Sequence, residues 1–218
     1  MKTYKLHFIR HGLTEANLQG LYMGRRTDSP LSPEGVKRLQ KLDSEYDYPG
    51  VAKIYMSPMI RCIQTANVLY PDHQNKQVIE ELAEMDFGKF EGKNLDVLKN
   101  DPDFLRFVEG RPDFVIPGGE GMGEFAQRCT AALEKIIEDM MLNNIPTASV
   151  VTHGGVILGL MGSFGYPQLP PKELMVDNGY GFTVNVIPRL WQTDHVLEIV
   201  GVIPHGATMD DSILSRFM

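Results

Sequence analysis

An α/β fold, with a mainly parallel sheet covered by helices on both faces, is predicted by three features of this chain. Short apolar or β-branched runs alternate along its length with segments of helical periodicity. Two of those helical segments open on Ser-Pro, at Ser32-Pro33 and Ser57-Pro58, which is start chemistry for a helix. Two strand-like runs, "LHFIRHG" and "SVVTHGG", each break into His-Gly, as strands do when they end at a site rather than in a plain turn. In sheets of this kind ligands bind outside the carboxyl ends of the strands.

Strands are expected at Tyr4–Ile9, Lys53–Ser57, Gln77–Glu81, Ala148–Thr152, Phe182–Ile187 and His195–Val200. After the first, "LSPEGVKRLQKL" reads as a helix with Ser32 as N-cap, Pro33 in the first position, and Val36, Leu39 and Leu42 on one face. "SPMIRCIQTANVLY" repeats that logic with Ser57 as cap and a stripe of Met59, Cys62, Ile63, Ala66, Leu69 and Tyr70. The longest helix should run from Met122 to Leu142, because Phe125, Cys129, Ala132, Leu133, Ile136, Ile137 and Met140 recur at helical spacing. Beyond Thr152, Gly154-Gly155 opens another apolar helix. The stretch 86–119 is rich in Gly, Pro and charge, with short helical pieces only within Asn94–Val108; it reads as an insertion over the site end of one domain spanning 1–218. The tail after Pro204 is weakly patterned.

With 43% hydrophobic and 22% charged residues among 218, the chain can bury a sizeable core. Its net charge of −7 argues against nucleic acid or an anionic membrane as main partner. No segment has the apolar length of a membrane span, and the strand pattern starts too early for a signal sequence, so a cytoplasmic protein is expected. Two cysteines, Cys62 and Cys129, make neither a disulfide framework nor a Cys-based zinc pattern, and their helical settings suit buried free thiols. Oligomeric state is not legible, and a homo-oligomer stays open.

If the strands ending in His-Gly are both central and parallel, His11 and His153 converge at one edge of the sheet, with Arg10 beside the first. Arg61 lies in the first turn of its helix, off the apolar stripe, where an anion would offset the unfavourable helix dipole; taken alone it reads equally as a surface arginine. Glu84 follows the Gln77–Glu81 run in "ELAEMDFGKFEG". Two arginines and two histidines around one carboxylate would repel one another unless a multiply charged anion sits among them, and phosphate is the natural guest. His205-Gly206 reads as a loop feature outside this group. No tight ligand spacing supports zinc, so no metal is expected. The C-x5-R, P-loop and G-x-S-x-G patterns are also absent.

In order along the chain, Arg10-His11-Gly12 with Thr14 and Asn17, "GRRTDSPLSPEG", "SPMIRCIQTA", "EMDFGKFEG", "PGGEGMGEFAQR" and "VTHGG" resemble the histidine phosphatase superfamily, the phosphoglycerate mutase-like fold. That resemblance covers nearly the whole chain and implies a three-layer sandwich with a mixed, mostly parallel sheet. It further implies that His11 accepts the phosphoryl group, that Arg10, Arg61 and His153 complete the phosphate pocket, and that Glu84 is the proton donor. Asn17 and Thr14 would add hydrogen bonds, Gly154 would border the phosphate, and no cofactor or metal would be needed. Two departures are visible: Gly121 replaces a helix-capping serine, and Leu13 stands where many members carry Glu or Gln.

The implied activity is hydrolysis of a small phosphorylated metabolite through a phosphohistidine. "EMDFGKFEG" resembles the phosphatase branch, while a cofactor-dependent phosphoglycerate mutase and a catalytically silent phospho-ligand binding module are the alternatives. Arg25 and Arg26 in "YMGRRTDSP" either select a second anionic group at the pocket mouth or are solvated surface charge. Sugar phosphates, phosphoglycerate and α-ribazole phosphate all stay open as substrates.

Overall fold

The sheet is built outward from the first strand of the chain, β1 (Tyr4–Arg10), whose residues are buried on both faces from Leu6 to Ile9. The computed structural model describes residues 2–111 and 113–207. After β1 come α1 (Glu15–Leu18), α2 (Pro33–Glu45), β2 (Lys53–Met56), α3 (Ile60–Leu69) and the short β3 (Lys76–Val78). Two 3-10 turns, Glu80–Leu82 and Gly88–Phe90, lead to α4 (Leu95–Leu98) and α5 (Pro102–Val108). The long α6 (Met122–Leu142) returns the chain to β4 (Thr147–Thr152) and α7 (Gly154–Phe164). The closing elements are β5 (Gly165–Tyr166), α8 (Pro171–Leu174), β6 (Gly181–Val186), α9 (Pro188–Asp194) and β7 (Leu197–Ile203).

The seven strands lie in the order β3-β2-β4-β1-β6-β7-β5. The first four are mutually parallel, while β6 is antiparallel to both of its neighbours. This is the expected α/β architecture with a mixed, mostly parallel sheet. Every residue from Ala148 to Thr152 of β4 is buried, so alternate side chains meet cover on opposite faces, as a sheet with helices on both sides requires.

Local sequence explains the helices. The Ser32 hydroxyl accepts the Gly35 N–H at 2.9 Å and Pro33 occupies the first turn of α2. The buried set of α6 is Phe125, Cys129, Ala132, Leu133, Ile136, Ile137 and Met140, the predicted stripe residue for residue. Both cysteines are buried and unbridged. Gly121 caps α6 without a side-chain hydrogen bond, as the missing serine implies.

Three expectations need correction. Ser57 does not cap α3: the helix starts at Ile60, whose N–H is taken by the Asp28 carboxylate at 2.8 Å, because the Ser57 hydroxyl is engaged by His153. The strand expected at Gln77–Glu81 ends at Val78, since it is an edge strand paired with β2 over only three residues. His195 belongs to a left-handed turn (φ 53°) closing α9, a helix the sequence reading missed, and β7 begins at Leu197. His205 is held in a loop by Thr183 Oγ1 at 3.1 Å and bridges to Asp47. Of the tail expected to be weakly patterned, residues 208–218 lie outside those described.

Within 86–119, Phe87, Phe90, Phe104 and Phe107 stack with one another and with Tyr22, several of them edge to face. Among the described residues no helix is long and apolar enough to cross a membrane. Ser32→Ala should cost about 1 kcal/mol, the usual value of a lost N-cap, in a urea-unfolding comparison with the parent protein.

Candidate active site

The parallel register decides where the two histidines go. Arg10 of β1 pairs with Thr152 of β4, so the residues that follow each of them, His11 and His153, leave the sheet side by side. Their ring centroids lie 5.2 Å apart in an edge-to-face arrangement, and both rings are buried.

The His11 Nδ1 lies 2.7 Å from the Gly12 carbonyl oxygen. A carbonyl only accepts, so Nδ1 carries the proton and Nε2 keeps its lone pair in the neutral ring. Burial, and then the Arg61 and Arg10 guanidiniums, push the His11 pKa well below 6.5, so that neutral form holds at physiological pH. His153 is driven well below 6.5 by burial first, and by Arg61 and His11 after it. Its Nε2 meets the Ser57 hydroxyl at 2.7 Å and the Cys62 sulfur at 3.5 Å.

Arg10 donates from one terminal nitrogen to the Val176 carbonyl at 2.8 Å, while its buried Nε has no hydrogen-bond partner. Arg61 is not a surface arginine: it is 2% exposed, and its guanidinium reaches the Gly24 and Thr27 carbonyls at 3.3 and 3.4 Å. Glu84 is buried just beyond the first 3-10 turn, with its carboxylate accepting the Met85 N–H at 2.9 Å and the Gly155 N–H at 3.2 Å. Burial raises its pKa above 4.5, against the opposing pull of those amides, Arg61 and Arg10. Residue 155 must be glycine for this: a Cβ there would stand 2.6 Å from Glu84 Oε1.

A clamp unforeseen in the sequence holds Glu84. Arg128 of α6 pairs with both oxygens of Glu120 at 2.7 and 2.9 Å and also donates to the backbone carbonyls of Glu81, Ala83 and Glu84. Both residues stand in "PGGEGMGEFAQR", eight apart, and no helix-face rule links a residue before the N-cap to one two turns later. Asn178 was equally hidden: its amide donates to the His11 carbonyl at 2.9 Å and to Asn17 Oδ1 at 3.4 Å.

These groups surround a cavity of about 330 Å³ with Arg10, His11, Asn17, Glu84 and Gly154 on its wall. Arg61 and His153 sit deeper, both buried and electrostatically coupled to His11. Thr14 is not on the wall: as N-cap of α1 its hydroxyl and amide hold Asn17 Oδ1, each at 3.1 Å. Arg25 is not there either. Its side chain is half exposed, 4.0 Å from Asp86, in a separate cleft beside Arg26, which Asp86 holds at 2.8 Å. Among the described residues no three His, Cys, Asp or Glu side chains gather as a metal site would need.

Residues 6–193 match the model of the histidine phosphatase superfamily, branch 1. The chain belongs to that superfamily. It is similar to the adenosylcobalamin/alpha-ribazole phosphatase of Escherichia coli (strain K12), 29% identical over 84% of this chain and 90% of that protein. It is also similar to a probable phosphoglycerate mutase, GpmB, of Proteus mirabilis (strain HI4320), 28% identical over 92% of this chain and 94% of that one. A phosphoglycerate mutase structure from Bacillus anthracis str. Sterne superposes with a TM-score of 0.74 over 92% of each chain at 22% identity, which speaks for the fold alone. Superfamily members named phosphatase and mutase thus resemble this chain about equally.

In a histidine-resolved NMR titration, the His11 and His153 rings should remain neutral well below pH 6.5, and His7, buried against His205, should titrate at about 4. A His11 midpoint at 6.5 or above would contradict the charge balance described for the site.

Proposed function

We propose that this protein is a phosphomonoesterase that hydrolyses a small phosphorylated metabolite through a phosphohistidine on His11, without a metal ion. The observation that carries the reading is the bare Nε2 of a neutral His11 on a cavity wall beside buried guanidinium charge.

The Nε2 lone pair attacks phosphorus in line, the bond from phosphorus to the ester oxygen breaks, and Glu84 gives its proton to the departing alkoxide. The resulting imidazolium is held through Nδ1–H by the Gly12 carbonyl. Water then attacks the phosphohistidine and passes a proton to ionised Glu84. The N–P bond breaks, and inorganic phosphate leaves with His11 neutral again. Arg10 on the wall stays fixed beside the phosphoryl oxygens, and buried Arg61 behind it adds standing positive charge, which lowers the barrier without reorganisation. The unpartnered Arg10 Nε is one donor available for that anion, and the committed Asn17 oxygen turns its amide nitrogen to the same task.

Hydrolysis is favoured over mutase chemistry by the rest of the wall. Apart from Arg10, His11 and Glu84 no charged side chain among the described residues lines the cavity, and Arg25 and Arg26 are engaged elsewhere by Asp86. A phosphoglycerate carboxylate or the second phosphate of a bisphosphorylated primer would find no cation of its own.

His11→Ala should reduce release of phosphate from p-nitrophenyl phosphate to background and abolish acid-labile, base-stable labelling by phosphate ester. Vanadate should inhibit and EDTA should leave the rate unchanged. Rapid formation of 2-phosphoglycerate from primed 3-phosphoglycerate would transfer the assignment to the mutases.

Glu84→Gln should lower kcat about 10²- to 10⁴-fold for an alkyl phosphate, whose leaving group needs a proton, and much less for p-nitrophenyl phosphate. The parent profile should be a bell. Activity falls on the acid side as His11 takes a proton, well below pH 6.5, and on the alkaline side as Glu84 loses one, above 4.5. Glu84→Gln should remove the alkaline limb.

A further inference from the structure

A second cavity, of about 310 Å³, opens between α6, α7 and Phe107 of α5. Phe107, Met122, Phe125 and Leu158 dominate its wall, and among the described residues its only charged one is Glu84. Glu84, Phe87, Gly155 and Leu158 also border the cavity that holds His11, so the two spaces adjoin along a shared border at Glu84. We propose that this second cavity receives the distal part of the leaving alcohol, and that the substrate is a monoester of one phosphate with an uncharged, apolar alcohol. The proposal rests on the phosphatase reading given above.

The geometry of proton transfer supplies the argument. The ester oxygen must lie against the Glu84 carboxyl when it receives the proton, so the carbon chain attached to that oxygen starts at the shared border. Beyond the border a volume of this size accepts a bicyclic ring or a short alkyl chain. A carboxylate or second phosphate placed there would face Glu84 with no cation on the wall to balance it. The rim is kept open by small residues on facing helices, Ala126 on α6 and Gly159 on α7. Nothing in the packing demands glycine at 159: its backbone is ordinary helix, and an added Cβ would meet only Phe125, at 3.9 Å.

Non-hydrolysable alkylphosphonates test this without relying on turnover. By calorimetry, hexylphosphonate should bind the protein more tightly than methylphosphonate, by about fourfold for each methylene that leaves water. Replacing its end methyl with a carboxylate should cancel most of that gain. Gly159→Leu and Ala126→Leu fill the second cavity from opposite sides; each should erase the hexyl advantage while methylphosphonate binding stays unchanged. Equal affinity for the two chain lengths, or a hexyl advantage that survives in both variants, overturns the proposal. Loss of the phosphatase reading shows separately, as absence of both phosphate release and labelled His11 in the parent protein, and leaves the binding comparison decisive.

Discussion

Everything at the carboxyl edge of this sheet follows from setting two guanidiniums beside two buried imidazoles and a buried carboxylate. Arg61 is buried, Arg10 is partly buried with Asp177 as its leading counter-charge, and the imidazoles of His11 and His153 and the carboxyl of Glu84 are buried with them. Arginine does not surrender its proton, so it is the imidazoles that yield: both are held neutral, with desolvation as the leading cause. The carboxylate yields in the other direction, toward its protonated form. On the proposed reading, one electrostatic compromise prepares a nucleophile with a free lone pair and an acid with a proton to give. A bound dianion would strengthen the protonated state of Glu84 further.

Holding such a cluster requires backbone, because side chains forced together against their charge would drift apart. The β1–β4 register supplies the histidines as neighbours, and the Gly12 carbonyl chooses the tautomer of the first. Glu84 has no strand to fix it, which is why Arg128 matters. Its guanidinium is neutralised by Glu120 and spends its remaining donors on the main-chain carbonyls of Glu81, Ala83 and Glu84 itself. Arg128 acts through that loop and does not line the His11 cavity, so its part is positioning.

The parallel half of the sheet was legible because each strand and the helix after it obey local rules: short apolar or β-branched runs, Ser-Pro starts, a helical stripe on α6. Arg10, His11 and His153 were legible as polar residues at strand ends facing one edge; Glu84 was picked out too, though the strand expected just before it ends at Val78. What escaped detection depends on contacts across the chain. Ser57 is a good cap by composition, yet its hydroxyl is claimed by His153, 96 residues away. Arg25 follows Asn17 closely in sequence, but Asp86 draws it and Arg26 into another cleft. Asn178 and Arg128 carry no local signature, since their partners lie in loops whose paths only the folded chain defines.

The chemistry up to the phosphohistidine is indifferent to what the phosphate was attached to, so the phosphoryl cradle cannot by itself separate the relatives of this chain. On the proposed mechanism, discrimination has to come from the far side of Glu84, where the leaving group would depart and the next nucleophile arrive. There the walls come from the 86–119 segment and from the facing surfaces of α6 and α7, through Phe87, Phe107, Phe125 and Leu158. An apolar surface offers little to a polyanionic second substrate that must be held for retransfer. It offers more to a neutral alcohol that needs only to be desolvated and released, after which the small and mobile acceptor left in the site is water.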